Sequence, residues 1–353
     1  MKTFADLSKK VRVRKESGKE VVIKADRALF AQFILIAENR KLKISDVLCH
    51  PLGPLPWALA SEDGSICKIN KASLANQLKK TVSPADTIPK PCARIIDGMA
   101  VVQKLKGDQK TFAEIADTIM SITLNEGNDS ERIDVVFDVY KEESIKTAER
   151  EKRGSATGHE FRSIKPDHRV HQWRKFLLSS NNKSQLIELI SEEWQKDRFR
   201  EKLSGKKLFV TNNEVCFEIS STGSRIREDL KSTHEEADTR ILLHALHAAN
   251  AGYAVVISSE DTDVLVISLA LKSFIASPLF IKTTKQSRTT YVDISKVCQA
   301  VGSQVCKALP GFHAFTGCNS VSAFFGKGEV KVLKLVSQNR AFVNLFQEIG
   351  MHW

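Results

Sequence analysis

The segment His234–Leu271, HEEADTRILLHALHAANAGYAVVISSEDTDVLVISLAL, constrains the fold more than any other part of the chain. From about Glu235 to Asn250 its apolar residues recur at helical spacing. After a turn at Gly252 they run continuously over Ala254–Ser258. A helix feeding a short, wholly apolar strand belongs to a parallel sheet covered on both faces. Four carboxylates, Glu236, Asp238, Asp261 and Asp263, flank this unit at its two turns. Two carboxylates about 4 Å apart repel by about 4 kcal/mol at an effective dielectric of about 20. A fold that gathers several must neutralise them, most simply with a divalent metal ion. That points to metal-assisted phosphodiester chemistry.

The same alternation begins earlier. Ala93–Ile96 reads as a short strand ending at Asp97, Thr111–Leu124 as an amphipathic helix, and Ile133–Phe137 as a second strand ending at Asp138. The expected fold class is therefore α/β, with a central, mostly parallel sheet flanked by helices. Leu208–Val210 and Val215–Ile219, joined around TNNE, predict a β-hairpin. Val264–Leu271 reads equally as the start of a helix or as another strand. Leu279–Thr283 and Thr289–Asp293 are further strand candidates, and Ile294–Val301 and Val330–Phe346 are helical. Leu309–Asn319, with Pro310, Gly311 and Gly317, is expected as a loop.

Ligands of open α/β sheets bind beyond the carboxyl ends of the strands. Asp97, Asp138, Asp261 and Asp263 all fall there, and Glu236 and Asp238 begin the helix that leads in. Each has a plain alternative as a turn residue, a strand end or a helix-dipole charge. Their coincidence on one rim is what favours a site. Residues two apart on a helix point in nearly opposite directions. Glu236 and Asp238 thus meet only in the helix's first turn, or address separate ions about 4 Å apart.

Residues 1–90 read as a mainly helical N-terminal region. Arg27–Asn39 is expected to be a buried helix and Ser73–Lys80 a short one. Pro51, Pro54 and Pro56 mark a loop. Three prolines between Ser83 and Pro91 suggest a linker and a boundary near Lys90, leaving 91–353 as the α/β domain. Seven scattered cysteines without a CxxC pair indicate neither a zinc ribbon nor a disulfide framework. His234, His244 and His247 lack a clear further zinc ligand. Nothing orients Cys318 with His313 as a thiol nucleophile, and Phe312, Phe315, Phe324 and Phe325 read as core.

The opening MKTFADLSKK has no apolar signal region, and the longest apolar run is too short to span a bilayer. The chain reads as soluble and intracellular, with no membrane association. A formal net charge of +11 suggests a polyanionic partner, nucleic acid before membrane, and makes the nucleus a candidate compartment. Part of that charge sits in a basic insert at about 141–207, with 17 Lys/Arg against 11 Asp/Glu. Its densest part holds Arg162, Lys165, His168, Arg169, His171, Trp173, Arg174 and Lys175. It is either a solvated face or a path for nucleic acid, with Trp173 as a stacking platform.

The ordered series IIDG (Ile95–Gly98), VVFD (Val135–Asp138), EAD (Glu236–Asp238), SEDTD (Ser259–Asp263) and TGCN (Thr316–Asn319) resembles the flap endonuclease superfamily of structure-specific 5′ nucleases, within the PIN-like fold. SEDTD together with LPGFHAFTGC is similar to a group of uncharacterised animal proteins in that superfamily. The likeness covers roughly residues 92–340. It implies that Asp97, Asp138 and Glu236 bind a first ion, that Asp238 helps position it, and that Asp261 and Asp263 hold a second. Mg²⁺ or Mn²⁺ suits such all-oxygen ligands. Asn319 stands where the family usually has an Asp, which weakens the second ion. Gly326-Lys327-Gly328 takes the place of the glycine turn that grips duplex backbone, and the basic insert that of the helical arch. The hairpin near Leu208–Ile219 has no family counterpart.

Two functions follow as expectations. One is a metal-dependent nuclease acting on DNA or RNA with a free or flapped 5′ end. The other is a nuclease-derived module that binds nucleic acid or a protein partner without cutting. A third reading makes residues 1–90 a protein-interaction region.

Overall fold

The computed structural model describes residues 11–14, 20–23, 34–43, 45, 69–140, 161–285, 288–317, 323–324 and 326–349. The chain divides into two compact units, Met1–Ser65 and Ile66–Trp353. In the first, β1 (Val11–Arg14) pairs antiparallel with β2 (Glu20–Ile23), Val11 opposite Ile23. Val-Arg-Val-Arg has the period of a strand, so a hairpin joins the helical content expected there. A helical segment at 34–39 falls within the predicted helix Arg27–Asn39. The first part of that helix lies outside the described residues.

The second unit opens with helix α1 (Lys71–Lys79), whose Leu74, Ala75 and Leu78 are buried in the main core. This helix, read from sequence as part of the N-terminal region, packs against the α/β body. Next come β3 (Cys92–Asp97), α2 (Gly98–Lys104), α3 (Phe112–Glu126) and β4 (Arg132–Val136). Helices α4 (Trp173–Phe176), α5 (Ser180–Trp194) and α6 (Asp197–Arg200) precede β5 (Lys207–Asn212), β6 (Val215–Ser220) and β7 (Gly223–Ile226). Then follow α7 (Ala237–Asn250), β8 (Ala254–Ser258), α8 (Thr262–Leu271), β9 (Leu279–Lys285) and β10 (Arg288–Asp293). Helices α9 (Ile294–Val301), α10 (Ser303–Thr316), α11 (Glu329–Ser337) and α12 (Arg340–Ile349) complete the described part.

These strands form one eight-stranded sheet in the order β10-β9-β8-β3-β4-β5-β6-β7. The central strands β9, β8, β3, β4 and β5 run parallel, and β10, β6 and β7 extend the edges antiparallel. The predicted α/β class with a mostly parallel central sheet flanked by helices is the observed one, and β5–β6 is the predicted hairpin. Neighbouring strand residues serve opposite faces, as the strand period requires. Ile95 joins a core with α1, α7, α8 and α10, whereas Ile96 joins one with α2, α3 and α5. With both faces covered, β3, β4 and β8 can be apolar throughout.

Three expectations change. The segment Val264–Leu271, open between helix and strand, is helix α8. Asp261 caps it by accepting a bond from the Asp263 amide at 2.9 Å. Its apolar residues surround the helix, so periodicity alone could not decide. The expected loop Leu309–Asn319 is instead helical to Thr316, with Pro310 inside α10. A Cβ on Gly311 would lie 2.1 Å from the Phe346 carbonyl oxygen. The glycine therefore serves close approach of α12 rather than a turn. Finally, the described part of the basic insert is layered onto the sheet. Leu186, Ile187, Leu189, Ile190 and Trp194 of α5 are buried, and the Trp194 indole donates to the Ala116 carbonyl at 3.1 Å. Residues 141–160 of the insert lie outside the described residues. No helix among the described residues is long and apolar enough to cross a membrane.

Candidate metal centre

Strands β8, β3 and β4 are adjacent and parallel, so their carboxyl ends share one edge. The chain leaves β3 toward β4 on one side and returns as β8 on the other. Open α/β sheets bind ligands at such a change of direction. Asp97 closes β3 and caps α2, accepting from the Ala100 amide at 3.0 Å. Gly98 beside it is a steric requirement: a Cβ there would lie 2.4 Å from a ring carbon of Phe137. Removing that Cβ lets the end of β4 come close to Asp97. Asp138, just beyond β4, accepts from the Ala237 amide at 2.9 Å, and the Val139 amide donates to the Glu235 carbonyl at 2.9 Å. These bonds pin the start of α7, and with it the EAD motif, to the end of β4.

Asp238 lies in the first turn of α7 and Asp263 in the first turn of α8. Asp238, Asp261 and Asp263 form one group, with a carboxylate oxygen from each within 4.8 Å of the others. Glu236, the residue before α7, is not among the three. Helix N-termini favour anions, and α7 and α8 both begin here. That benefit does not cancel the repulsion. Burial, then the carboxylates of Asp261, Asp263, Asp138 and Asp97, push the Asp238 carboxyl up to about 7. Burial also raises Asp97; the Ala100 amide opposes this, and Asp138 and Asp261 add to it.

Asp263 is neutralised differently. Lys71 Nζ lies 3.0 Å from both of its carboxylate oxygens, and His313 Nε2 lies 2.5 Å from Oδ1. Burial pushes this carboxyl up, but the His313 bond and the Lys71 charge hold it down at about 2. His313 Nδ1 bonds to Glu329, the first residue of α11. Burial lowers the imidazole's proton affinity, yet the bonds to Asp263 and Glu329 raise its pKa to about 9. Lys71 and His313 were missed as site residues. One precedes the span of the family likeness, and the other sits in a segment whose proline and glycines suggested a loop.

The three-carboxylate donor set suits a hard divalent cation, Mg²⁺ or Mn²⁺, bound through oxygen. Asp238 and Asp261 have no Lys, Arg or His ion-pair partner among the described residues. Asp263 as it stands has both oxygens occupied. The three carboxylates could hold a metal ion, and any ion that used Asp263 would meet the Lys71 and His313 charges already on it. Asn319 and Cys318 lie outside the described residues.

Among the nucleic-acid candidates, Arg162, Lys165, Arg169, Arg174 and Lys175 are exposed on the segment leading into α5. That segment is tied to the start of α3 by the Phe112 amide on the His168 carbonyl and the Val170 amide on the Lys110 carbonyl. None of the five bonds to the acidic group among the described residues. Trp173 does not serve as a platform for bases. It is buried, stacked on Phe176 at 5.4 Å, and closes on Gly107. Gly326, Lys327 and Gly328 form an exposed turn, with Gly326 at φ +69°, that ends at Glu329. The turn is thereby joined through Glu329 and His313 to Asp263.

The histidines weighed for zinc belong elsewhere. His244 Nδ1 lies 2.7 Å from Asp134, which pairs with buried Arg132. His247 lies between Arg132 and Asp229, and His234 pairs with Thr239. A cavity of about 450 Å³ lined by Leu269, Lys272, Cys298 and Lys307 lies at the other end of α8 from Asp263. Compared with protein-family models and with curated proteins, the chain finds no match.

Proposed function

We propose that this chain is a divalent-metal-dependent nuclease of the PIN-like, flap-endonuclease kind, hydrolysing phosphodiester bonds of DNA or RNA. The observation that carries the reading is the Asp238–Asp261–Asp263 group on the carboxyl edge of three adjacent parallel strands, with Asp97 and Asp138 beside it. Asp97, Asp138 and Asp261 also cap or pin helices, but helix capping does not require five aspartates at one topological switch point; burial first, and then the neighbouring carboxylates, raise the Asp238 carboxyl. A bound Mg²⁺ or Mn²⁺ would supply Lewis acidity at a phosphoryl oxygen and a water activated near neutral pH.

The chain's own residues have separable roles. Asp238 and Asp261 would hold the ion. Asp97 would extend the negative rim that attracts it. Asp138, bonded to the Ala237 amide, positions α7 and so Asp238. Lys71 and His313 fix Asp263. The exposed arginines and lysines of 162–175 and the Gly326–Gly328 turn would contact phosphate backbone, which confers affinity without sequence choice. Within residues 1–90, α1 belongs to the α/β body, so a protein partner would be recruited by the unit Met1–Ser65, and a nuclear setting would suit a basic nucleic-acid enzyme.

The test is cleavage of end-labelled flap, single-stranded and duplex DNA and RNA with Mg²⁺ or Mn²⁺, beside a D261A/D263A control. Metal-dependent cutting lost in the control supports the nuclease. A specific observation favours a second reading: Asp263 is already neutralised by Lys71 and His313. If folded protein binds these substrates without cutting them, the chain is a nuclease-derived binding module.

A further inference from the structure

Helix α1 is held in the core by its own sequence. Leu74, Ala75 and Leu78 are buried, and the helix packs on α8 and α11. Lys71 precedes them by three, four and seven residues and so lies on the same stripe. A lysine on that stripe directs its ammonium along the buried face, where it meets both oxygens of Asp263 at 3.0 Å. From α10, His313 reaches Asp263 Oδ1 at 2.5 Å and is itself bonded to Glu329. Two helices, α1 and α10, thus converge on a single carboxylate, with α11 behind His313. A metal ion that took Asp263 as a ligand would have to share the carboxylate with, or displace, an ammonium anchored by a packed helix, against its positive charge. Asp238 and Asp261 present no such obstacle.

We propose that this centre is built for one divalent cation, held by Asp238 and Asp261, and that the Lys71 ammonium stands in the place of a second by neutralising Asp263. The inference rests on the metal-centre reading above and adds a residue to it. A lysine is a compact point charge on a flexible stem. It can balance an anionic phosphate oxygen as a second ion would, but it cannot ligate a water. Lys71 is accordingly a positioning and charge-balancing residue of the site.

The experiment is a Mn²⁺ titration of the full chain, with free ion followed by electron paramagnetic resonance, for wild type, Lys71→Met and Lys71→Arg. Wild type should take up one ion, and Lys71→Arg, which keeps the positive charge, also one. Lys71→Met should take up a second ion at least about tenfold more tightly than wild type does, because a unit charge a few ångströms away has been removed. Two ions of similar affinity in wild type, or no gain in Lys71→Met, would overturn the proposal. If circular dichroism shows that Lys71→Met does not fold, Asp263→Asn decides. Retained binding of one ion supports the assignment to Asp238 and Asp261, and its loss overturns it. A wild type that takes up no Mn²⁺ refutes the metal-centre reading itself, an outcome distinct from binding two.

Discussion

Replacing Asp238 by asparagine should stabilise the metal-free protein. Burial and four neighbouring carboxylates raise the Asp238 carboxyl from an ordinary 3.8 to about 7. At about 1.4 kcal/mol per pKa unit, keeping that group ionised costs the fold up to about 4 kcal/mol. Solvent screening at this partly exposed position brings the expected gain to about 1–3 kcal/mol. The folded-state pKa is raised, so the folded protein retains a proton that the unfolded chain releases between 3.8 and about 7. The associated stability is present below the unfolded value and is lost as pH rises through about 7. Wild type and Asp238→Asn should therefore unfold alike in acid and diverge through neutrality.

The assay is urea unfolding in EDTA across a pH series, repeated with Mn²⁺. An ion at about a hundred times its dissociation constant should add about 2.7 kcal/mol to wild type and less to the variant. A variant no more stable than wild type in alkaline EDTA would show that neither burial nor the neighbouring carboxylates penalise the ionised group, and would refute the reasoning. A gain already complete in acid would refute it equally.

Three other outcomes follow from the packing. Asp134→Ala should cost about 3–5 kcal/mol in urea unfolding, because it leaves an uncompensated charge on Arg132 in the interior; an additional Arg132→Met should recover part of the loss. Gly98→Ala should cost about 1–3 kcal/mol and weaken Mn²⁺ binding, since its methyl meets the Phe137 ring; Phe137→Leu in the same chain should relieve both. The His313 imidazole should titrate near 9 by NMR, and Asp263→Asn should lower that value while Glu329 remains. Because the folded-state pKa is raised, the stability His313 contributes is complete below its ordinary 6.5 and is lost as pH rises through about 9.

Local patterns made the sheet legible. Ala254–Ser258 and Ile294–Val301 emerge with the bounds read from sequence, because an apolar run after a glycine turn and an apolar stripe after a capping Asp are short-range signals. The acidic edge was legible for the same reason: Asp97, Asp138 and Asp261 follow strands that announce themselves. The partners of Asp263 were not. Lys71 is 192 residues away in sequence and His313 is 50. Their meeting depends on how α1 and α10 pack, which no local pattern encodes. Asp134 was hidden likewise, since a charge inside an apolar strand is tolerated only when Arg132 and His244 come to meet it. Trp173, in a strongly basic stretch, looked available for stacking. Its burial is set by Gly107 and Phe176, which the neighbouring charges do not reveal.

The most direct test is a crystal soaked in Mn²⁺ and measured at a wavelength where the ion scatters anomalously. An anomalous peak within about 2–2.5 Å of carboxylate oxygens of both Asp238 and Asp261, with Lys71 still on Asp263, is the predicted result. An ion bound elsewhere, or no ion beside these aspartates in protein that cleaves nucleic acid with Mn²⁺, would contradict it.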